Sequence, residues 1–385
     1  NSNAAPASVL AEFLVSSIAP QCMLWQTSPA ATEMETRIMQ WLCHGLGLPD
    51  TYQGVIQDSA SSATLAAVLT MRERALQFRG NIEGLHGAPQ LRIYCSDQVH
   101  SSIDRAIWVA GIGSDNLVKI RTTGDLRSMD PLDLEAAIAE DKAAGRIPAG
   151  IIAATGATGM GACDDLEAVA AIANEHDIYT HLDAAWAGSA MICPEFRTLW
   201  AGADQFDSIV FNPHKWLGAQ FDCAAHFLRD PDVLRQTLAI RPEYLKTHAT
   251  EDVTDYSEWS IPLGRRFRAL KLWFLMRHYG MEGLRTRIRN HVKWSQALCE
   301  QLRREDGFEI VTEPILSLWT FKPRGASDSQ TQALVDAIND DGRIYLTQTL
   351  VDGQKVIRFT AGQFDCEERD FDTAFDTITE LARAT

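Results

Sequence analysis

The 385-residue sequence contains no run of 18 consecutive apolar residues, so nothing in it reads as a membrane span. Basic residues are the minority: 35 Lys plus Arg stand against 51 Asp plus Glu, a formal net charge of -16. The densest basic spot is the short RRFR at 265–268. Phosphate backbones need broad cationic surface, which argues against nucleic acid as a partner. The cysteines at 22, 43, 95, 163, 193, 223, 299 and 366 form no CxxC pair, and no HExxH occurs, so no zinc or other metal site is expected. Thiols scattered this way fit a reduced, cytoplasmic protein. GxGxxG and GxxxxGK[ST] are missing, which disfavours dinucleotide and ATP sites. No GxSxG surrounds Ser59, Ser96 or Ser101, which disfavours a hydrolase. There is no internal repeat, low-complexity tract or signal peptide. The chain opens NSNAAPASVLAEFL without Met, in what reads as the middle of an element, so further residues are expected upstream.

What is present is ordinary globular composition, 46% apolar and 22% charged, in a chain long enough for two lobes. Residues 8–18 and 30–46 are helical by pattern; Met34, Ile38, Met39, Leu42 and Leu46 recur near a 3.6 period. From residue 91, compact apolar runs alternate with helices: LRIYCS (91–96), NLVKIRT (116–122), GIIAATG (150–156), IYTHLD (178–183) and FDSIVFN (206–212). That alternation predicts an α/β architecture, a mostly parallel sheet with helices on both faces. Two long helices are expected at 264–278 and 282–303. Strands at 308–312, 316–321, 343–350 and 355–360, a helix near 328–339 and a terminal helix predict a smaller α+β lobe from about residue 280. In open parallel sheets ligands sit beyond the carboxyl ends of strands. The segments to read closely are therefore Ser96–His100, Thr155–Thr158, Asp183–Trp186 and Asn212–Trp216.

Lys215 follows an apolar strand in Asn212-Pro213-His214-Lys215-Trp216. A partly dry setting lowers a lysine pKa, as imine chemistry requires. Asp183 ends another strand, 32 residues earlier, with one helix and one strand between. A carboxylate there can hold the protonated nitrogen of a pyridine ring. Ser59, Ala60 and Ser61 open a helix whose free N–H groups and hydroxyls can bind an anion. His100 can lie flat over an aromatic ring. Each has a plainer reading alone: a loop lysine, a helix-capping aspartate, an ordinary serine cap, a histidine bonded to a carbonyl.

Together they resemble the group II pyridoxal-phosphate-dependent decarboxylases, and within them the aromatic-L-amino-acid decarboxylases. The stretches that carry the likeness are LWQTSPAATEMET (24–36), GVIQDSASSAT (54–64), SDQVHSS (96–102), HLDAAWAGSAMICPEFR (181–197), FNPHKWLGAQFDC (211–223) and DYSEWSIPLGRRFRALKLWFLMRHYG (255–280). The resemblance implies a fold type I enzyme with a seven-stranded sheet. Residues 1–20 would be the remnant of an N-terminal arm, 21–280 the large cofactor domain and 281–385 the small domain. It also implies pyridoxal 5'-phosphate as cofactor, with Lys215 holding it covalently and Asp183 on its ring nitrogen. His100 would stack on one ring face and Ala185 pack on the other, with Thr158 near the ring hydroxyl. Ser59, Ala60, Ser61 and Asn212 would bind its phosphate, with Ser208 and His214 nearby. Tyr244, on a loop, would support protonation of the carbanion. Trp25 would line the substrate pocket. The implied assembly is a homodimer with its sites at the interface, in which Leu263 and Gly264 reach the partner's pocket. Two positions depart from the family pattern: Asp58 stands where Gly is frequent, and Ala157 where Thr is frequent.

The expected reaction is decarboxylation of an amino acid, read as aromatic, to the amine and carbon dioxide. One alternative is an aldehyde synthase, which the resemblance associates with Phe in place of the loop tyrosine. Another is a decarboxylase of glutamate or another non-aromatic amino acid, for which Arg265 and Arg266 are the available cations. A non-enzymatic dimeric scaffold is a third.

Overall fold

The computed structural model describes residues 4–240 and 253–384. Seven strands build the main sheet: β1 (Gln53–Gln57), β2 (Leu91–Ser96), β3 (Leu117–Ile120), then β6 (Ile147–Ala154), β7 (Tyr179–Asp183), β8 (Ser208–Phe211) and β9 (Ala224–Leu228). A small hairpin, β4 (Thr122–Thr123) with β5 (Ser128–Met129), lies between β3 and β6 in the chain. The spatial order is β1-β9-β8-β7-β6-β2-β3. Strands β3, β2, β6, β7 and β8 are mutually parallel, and β9 pairs antiparallel with both β8 and β1. Strand β9 is thus the one reversed member. The carboxyl ends of β2, β6, β7 and β8 share one edge of the sheet.

Helices α1 (Pro6–Ile18), α2 (Pro29–Leu46), α3 (Ala60–Ala75), α4 (Gly80–Glu83), α5 (Ser102–Val109), α6 (Pro131–Ala143), α7 (Leu166–His176) and α8 (Pro231–Leu238) pack around this sheet or connect its strands. With both faces covered, β7 and β8 are buried at every position, which is why they read as continuous apolar runs rather than as alternation. The second sheet runs β10-β11-β13-β12, from β10 (Phe308–Ile315), β11 (Leu318–Pro323), β12 (Thr347–Val351) and β13 (Gln354–Thr360). It is antiparallel throughout and packs against α10 (Asp328–Asp341) and α11 (Glu368–Ala384).

Helix α9 (Ala269–Arg304) joins the two halves. Leu272, Leu275, Leu284 and Ile288 enter the core of the main sheet, while Leu298, Cys299 and Leu302 enter that of the small one. Gly280, at φ 68° and ψ 165°, divides it into two helical stretches, close to the break expected between 278 and 282. The first stretch begins at Ala269 rather than 264, and the arginines before it form ion pairs. Arg265 meets Glu35 at 2.6 Å, both fully buried; Arg266 meets Glu12; Arg268 meets Asp222 at 3.0 Å. The arginines of RRFR are therefore each matched by an acid, Arg265 in the interior and Arg266 at the surface. Strand β12 starts at Thr347, later than the expected 343, and Tyr345 ahead of it is largely solvent-exposed. Helix α1 turns Val9, Leu10, Phe13 and Ile18 outward. Among the described residues no helix is long and apolar enough to cross a membrane.

Candidate active site

Lys215 sits on a single widened helical turn, Pro213–Leu217, directly beyond β8. Such turns of i→i+5 type recur at functional sites. The Lys215 N–H donates to the Asn212 carbonyl at 2.9 Å, and Gly218, at φ 88°, closes the turn. Trp216 anchors it. Its indole is fully buried, stacked on Trp186 at 5.0 Å, and its N–H donates to His291 Nδ1 at 3.1 Å. With Trp216 locked inward, its neighbour Lys215 lines a cavity of about 350 Å³ at the carboxyl edge of the sheet. Burial lowers the Lys215 pKa below that of an ordinary lysine; the Asp183 carboxylate opposes this and the Arg358 charge reinforces it.

Asp183 ends β7 and lines the same cavity, only 8% exposed. Its Oδ1 accepts the Ala185 N–H at 2.9 Å, and its Oδ2 has no hydrogen-bond partner among the described residues. Burial, helped by the Lys215 charge, pushes the His214 pKa down to about 4, so this ring is neutral near pH 7. Its Nδ1 accepts the Cys223 N–H at 2.9 Å, which assigns the proton to Nε2. His100 Nδ1 likewise accepts the Ser102 N–H at 3.1 Å, leaving its Nε2 as the donor.

The start of α3 forms the opposite wall. Asn212 Oδ1 accepts the Ala60 N–H at 3.0 Å and so ties the end of β8 to the first helical turn. Ser59 Oγ accepts the Ser62 N–H at 3.3 Å as the helix cap. Asp58, the unusual acid, turns to its own neighbour: Oδ1 accepts the Ser59 N–H at 2.7 Å, and Asp58 is not among the cavity-lining residues. Ser61 lies in the first turn, where N–H groups have no intrahelical acceptor.

The fold thus brings together Ser59, Ala60, Ser61, His100, Thr158, Asp183, Ala185, Asn212, His214 and Lys215. Four expected residues are elsewhere. Ser208 begins β8, four residues before Asn212 and so roughly 13 Å down the strand. It is buried, and its hydroxyl pairs with His181 Nδ1 at 2.7 Å instead of meeting the cavity. Trp25 lines a separate groove with Thr36, Arg37 and Trp273; its backbone N–H donates to Asp255 Oδ1 at 2.7 Å and its indole N–H to Glu33 Oε1 at 3.3 Å. Leu263 is half-exposed, and Gly264 borders a surface cleft beside Gln21, so neither enters this chain's own cavity. Tyr244 lies outside the described residues. Unexpected members are Trp186 and Phe221 in the cavity wall and Arg358, from β13, acting on Lys215. Trp186 and Phe221 sit inside recognised motifs, yet which way they face is decided by packing. Arg358 belongs to a strand with no motif at all.

Residues 2–324 match the family described as the pyridoxal-dependent decarboxylase conserved domain. The chain belongs to this decarboxylase family. It is 37% identical to phenylacetaldehyde synthase of Arabidopsis thaliana, over 99% of this chain and 80% of that protein. It is 39% identical to aromatic-L-amino-acid decarboxylase of Rattus norvegicus, over 97% of this chain and 80% of that protein. The crystal structure of Oryza sativa TDC with PLP and tryptamine superposes with a TM-score of 0.95, at 35% identity, covering 100% of this chain and 82% of that one. The fold is that of the type I pyridoxal-phosphate decarboxylases, and pyridoxal phosphate is the cofactor. The cavity suits it. A pyridoxal-dependent decarboxylase needs a lysine that sheds its proton readily, an acid for a ring nitrogen and N–H groups for a phosphate. Dry Lys215, the unpartnered Asp183 oxygen and the first turn of α3 supply that donor set.

Proposed function

We propose that the protein decarboxylates an aromatic L-amino acid to its amine and carbon dioxide. The observation that carries the aromatic reading is the cavity wall. Trp186 and Phe221 line it, and its described lining includes no arginine and no lysine besides Lys215. A substrate with a distal carboxylate needs a cation there. Arg265 is sealed against Glu35, Arg266 is paired with Glu12, and Arg358, whose charge acts on Lys215, is not part of this lining.

In this reading Lys215 would hold the cofactor, with Asp183 for its ring nitrogen and His100 and Ala185 on either side of the ring. Thr158 would serve the ring hydroxyl, and Ser59, Ala60, Ser61, Asn212 and His214 the phosphate. When bound, pyridoxal phosphate supplies an electron sink for the bond to the departing carboxylate. Asp183 stabilises that sink by keeping the ring nitrogen protonated. Tyr244 delivers the proton that Cα then requires. Tyrosine rather than phenylalanine at position 244 favours amine as product. The similarity to a phenylacetaldehyde synthase keeps oxidative deamination as the second reading. The working unit is a homodimer, supported by the outward apolar face of α1 and by Leu263 and Gly264 standing free of their own cavity.

Parallel assays of tyrosine, phenylalanine, dopa, tryptophan, 5-hydroxytryptophan, histidine and glutamate, detecting amine and peroxide, test this. Amine without peroxide from an aromatic substrate is expected. Fastest turnover of glutamate would reject the aromatic reading, and stoichiometric peroxide would select the aldehyde synthase.

A further inference from the structure

Residues 218–222 cross between the Lys215 turn and β9, and they carry Phe221 to the cavity rim with 63% of its surface exposed. The Phe221 ring stands edge-on to His214 at 4.8 Å. Few apolar contacts seat such a ring, so polar bonds beneath it decide its place. Those bonds converge on Lys271, a fully buried lysine in the first turn of α9. Its Nζ donates to the Gln220 carbonyl at 3.1 Å, to Gln220 Oε1 at 3.0 Å and to the Asp222 carbonyl at 2.9 Å. An ammonium has three protons, and all three are spent on this segment.

Helix α1 grips the same segment from the other side. The Ala5 N–H donates to the Gly218 carbonyl at 2.8 Å, Ser8 Oγ accepts the Gln220 N–H at 2.7 Å, and Glu12 stands 3.1 Å from Lys271 Nζ. Ala5, the N-cap of α1, and Ser8 and Glu12 within it turn towards this segment, while Val9, Leu10 and Phe13 are exposed.

We infer that Lys271 is a positioning residue: it seats 218–222, and with it Phe221, against the cavity, and joins that seat to α1. The inference rests on the decarboxylase reading only for the cofactor and substrate of its assay. Burial pushes the Lys271 ammonium down to about 8. The charged and titratable groups around it are Glu12 from α1, His214 from the lysine turn, Asp222 and Cys223 from the segment and beyond, and Arg266 and Arg268 preceding α9. A neutral amine has two protons for three acceptors, so one bond to the segment is lost as pH rises through that value.

The test compares holoenzyme of the parent and of Lys271→Met for thermal unfolding, pyridoxal phosphate affinity, KM and kcat. The phosphate cup, Asp183 and Lys215 do not touch Lys271, so cofactor affinity is expected to hold within about threefold while KM rises about tenfold and kcat changes less. In the parent, KM climbs with a midpoint near pH 8, and that limb is missing in the variant. A folded Lys271→Met enzyme with the parent's KM and pH profile overturns the inference. Should it not fold, Ser8→Ala loosens the segment from α1, and Glu12→Gln weakens the pairing of α1 with Lys271 and Arg266. A KM rise of about threefold in either supports the seat, and parental KM in both overturns it. Failure of the parent itself to bind pyridoxal phosphate would instead strike the decarboxylase reading.

Discussion

At the scale of single residues, Asp183 divides its two oxygens between fold and chemistry. One accepts the Ala185 N–H and the other has no partner among the described residues. Asp183→Asn retains an acceptor for Ala185 and removes the charge. The expected outcome is a folded protein that still fixes cofactor to Lys215 on borohydride reduction, with kcat lowered about 10²–10³-fold, or roughly 3–4 kcal/mol of transition-state stabilisation. Peptide mass mapping and steady-state rates check it. Turnover within a few fold of the parent would remove Asp183 from its role. Lys215, His100 and the serines of α3 were nameable from sequence because each follows a strand or opens a helix. Ser208, expected near the phosphate from the resemblance, begins β8 four residues before Asn212 and bonds His181 at the far end.

At the scale of elements, the lysine turn depends on Gly218. Its φ of 88° is strained for any other residue, and a Cβ there would stand 2.1 Å from the Phe364 ring. Left-handed backbone costs an L-residue about 1 kcal/mol and overpacking about 1–3 more. Gly218→Ala is therefore expected to lose roughly 2–4 kcal/mol by urea unfolding. Cofactor affinity falls with it, because the displaced turn carries Lys215. A midpoint and affinity equal to the parent's would show that the turn relaxes freely. The helices α2 and α9 were legible because apolar periodicity is local, and even the Gly280 break lay between two patterned stretches. Strand β9 was not read: AAHFL is short, alanine-rich and interrupted by a histidine. Its reversed direction follows from its neighbours β8 and β1 and not from its own residues.

At the scale of the whole molecule, burial of histidine sets the acid limit. His226 and His291 are fully buried and pushed down to about 3 by desolvation, and His181 lies well below its usual value for the same reason. An unfolded chain protonates each near 6.5. Below that pH the unfolded state holds more protons, so stability falls as pH falls, by about 1.4 kcal/mol per pH unit for each histidine. Asp164 works against them. Burial raises it to about 6, so from there down towards 3.8 the folded state binds the extra proton and gains stability. His214, pushed down to about 4, adds a fourth histidine, so the net loss is that of about three. Urea midpoints taken at about pH 7 and pH 5 should record it, with a shallower slope in His226→Leu, since neither His226 nitrogen has a hydrogen-bond partner among the described residues. A pH-independent midpoint would contradict this account.

The sequence by itself determined the repeating strand–helix order, the smaller lobe behind α9 and the set of strand ends that meet at one edge. These follow from local periodicity and from the rule that parallel crossovers return each strand in the same direction. It also carried the family, because the chemistry demands particular residue types at turns whose spacing the chain itself encodes. Tertiary structure alone decided which motif residues face the cavity. Trp186 and Phe221 do, while Trp25 and Ser208 do not. It alone enclosed Arg265 with Glu35, 230 positions apart, and placed Lys271 under a segment 51 positions earlier. Contacts at that range leave no periodic trace, since a buried cation is specified by the acceptors packed around it and those come from wherever the fold returns the chain.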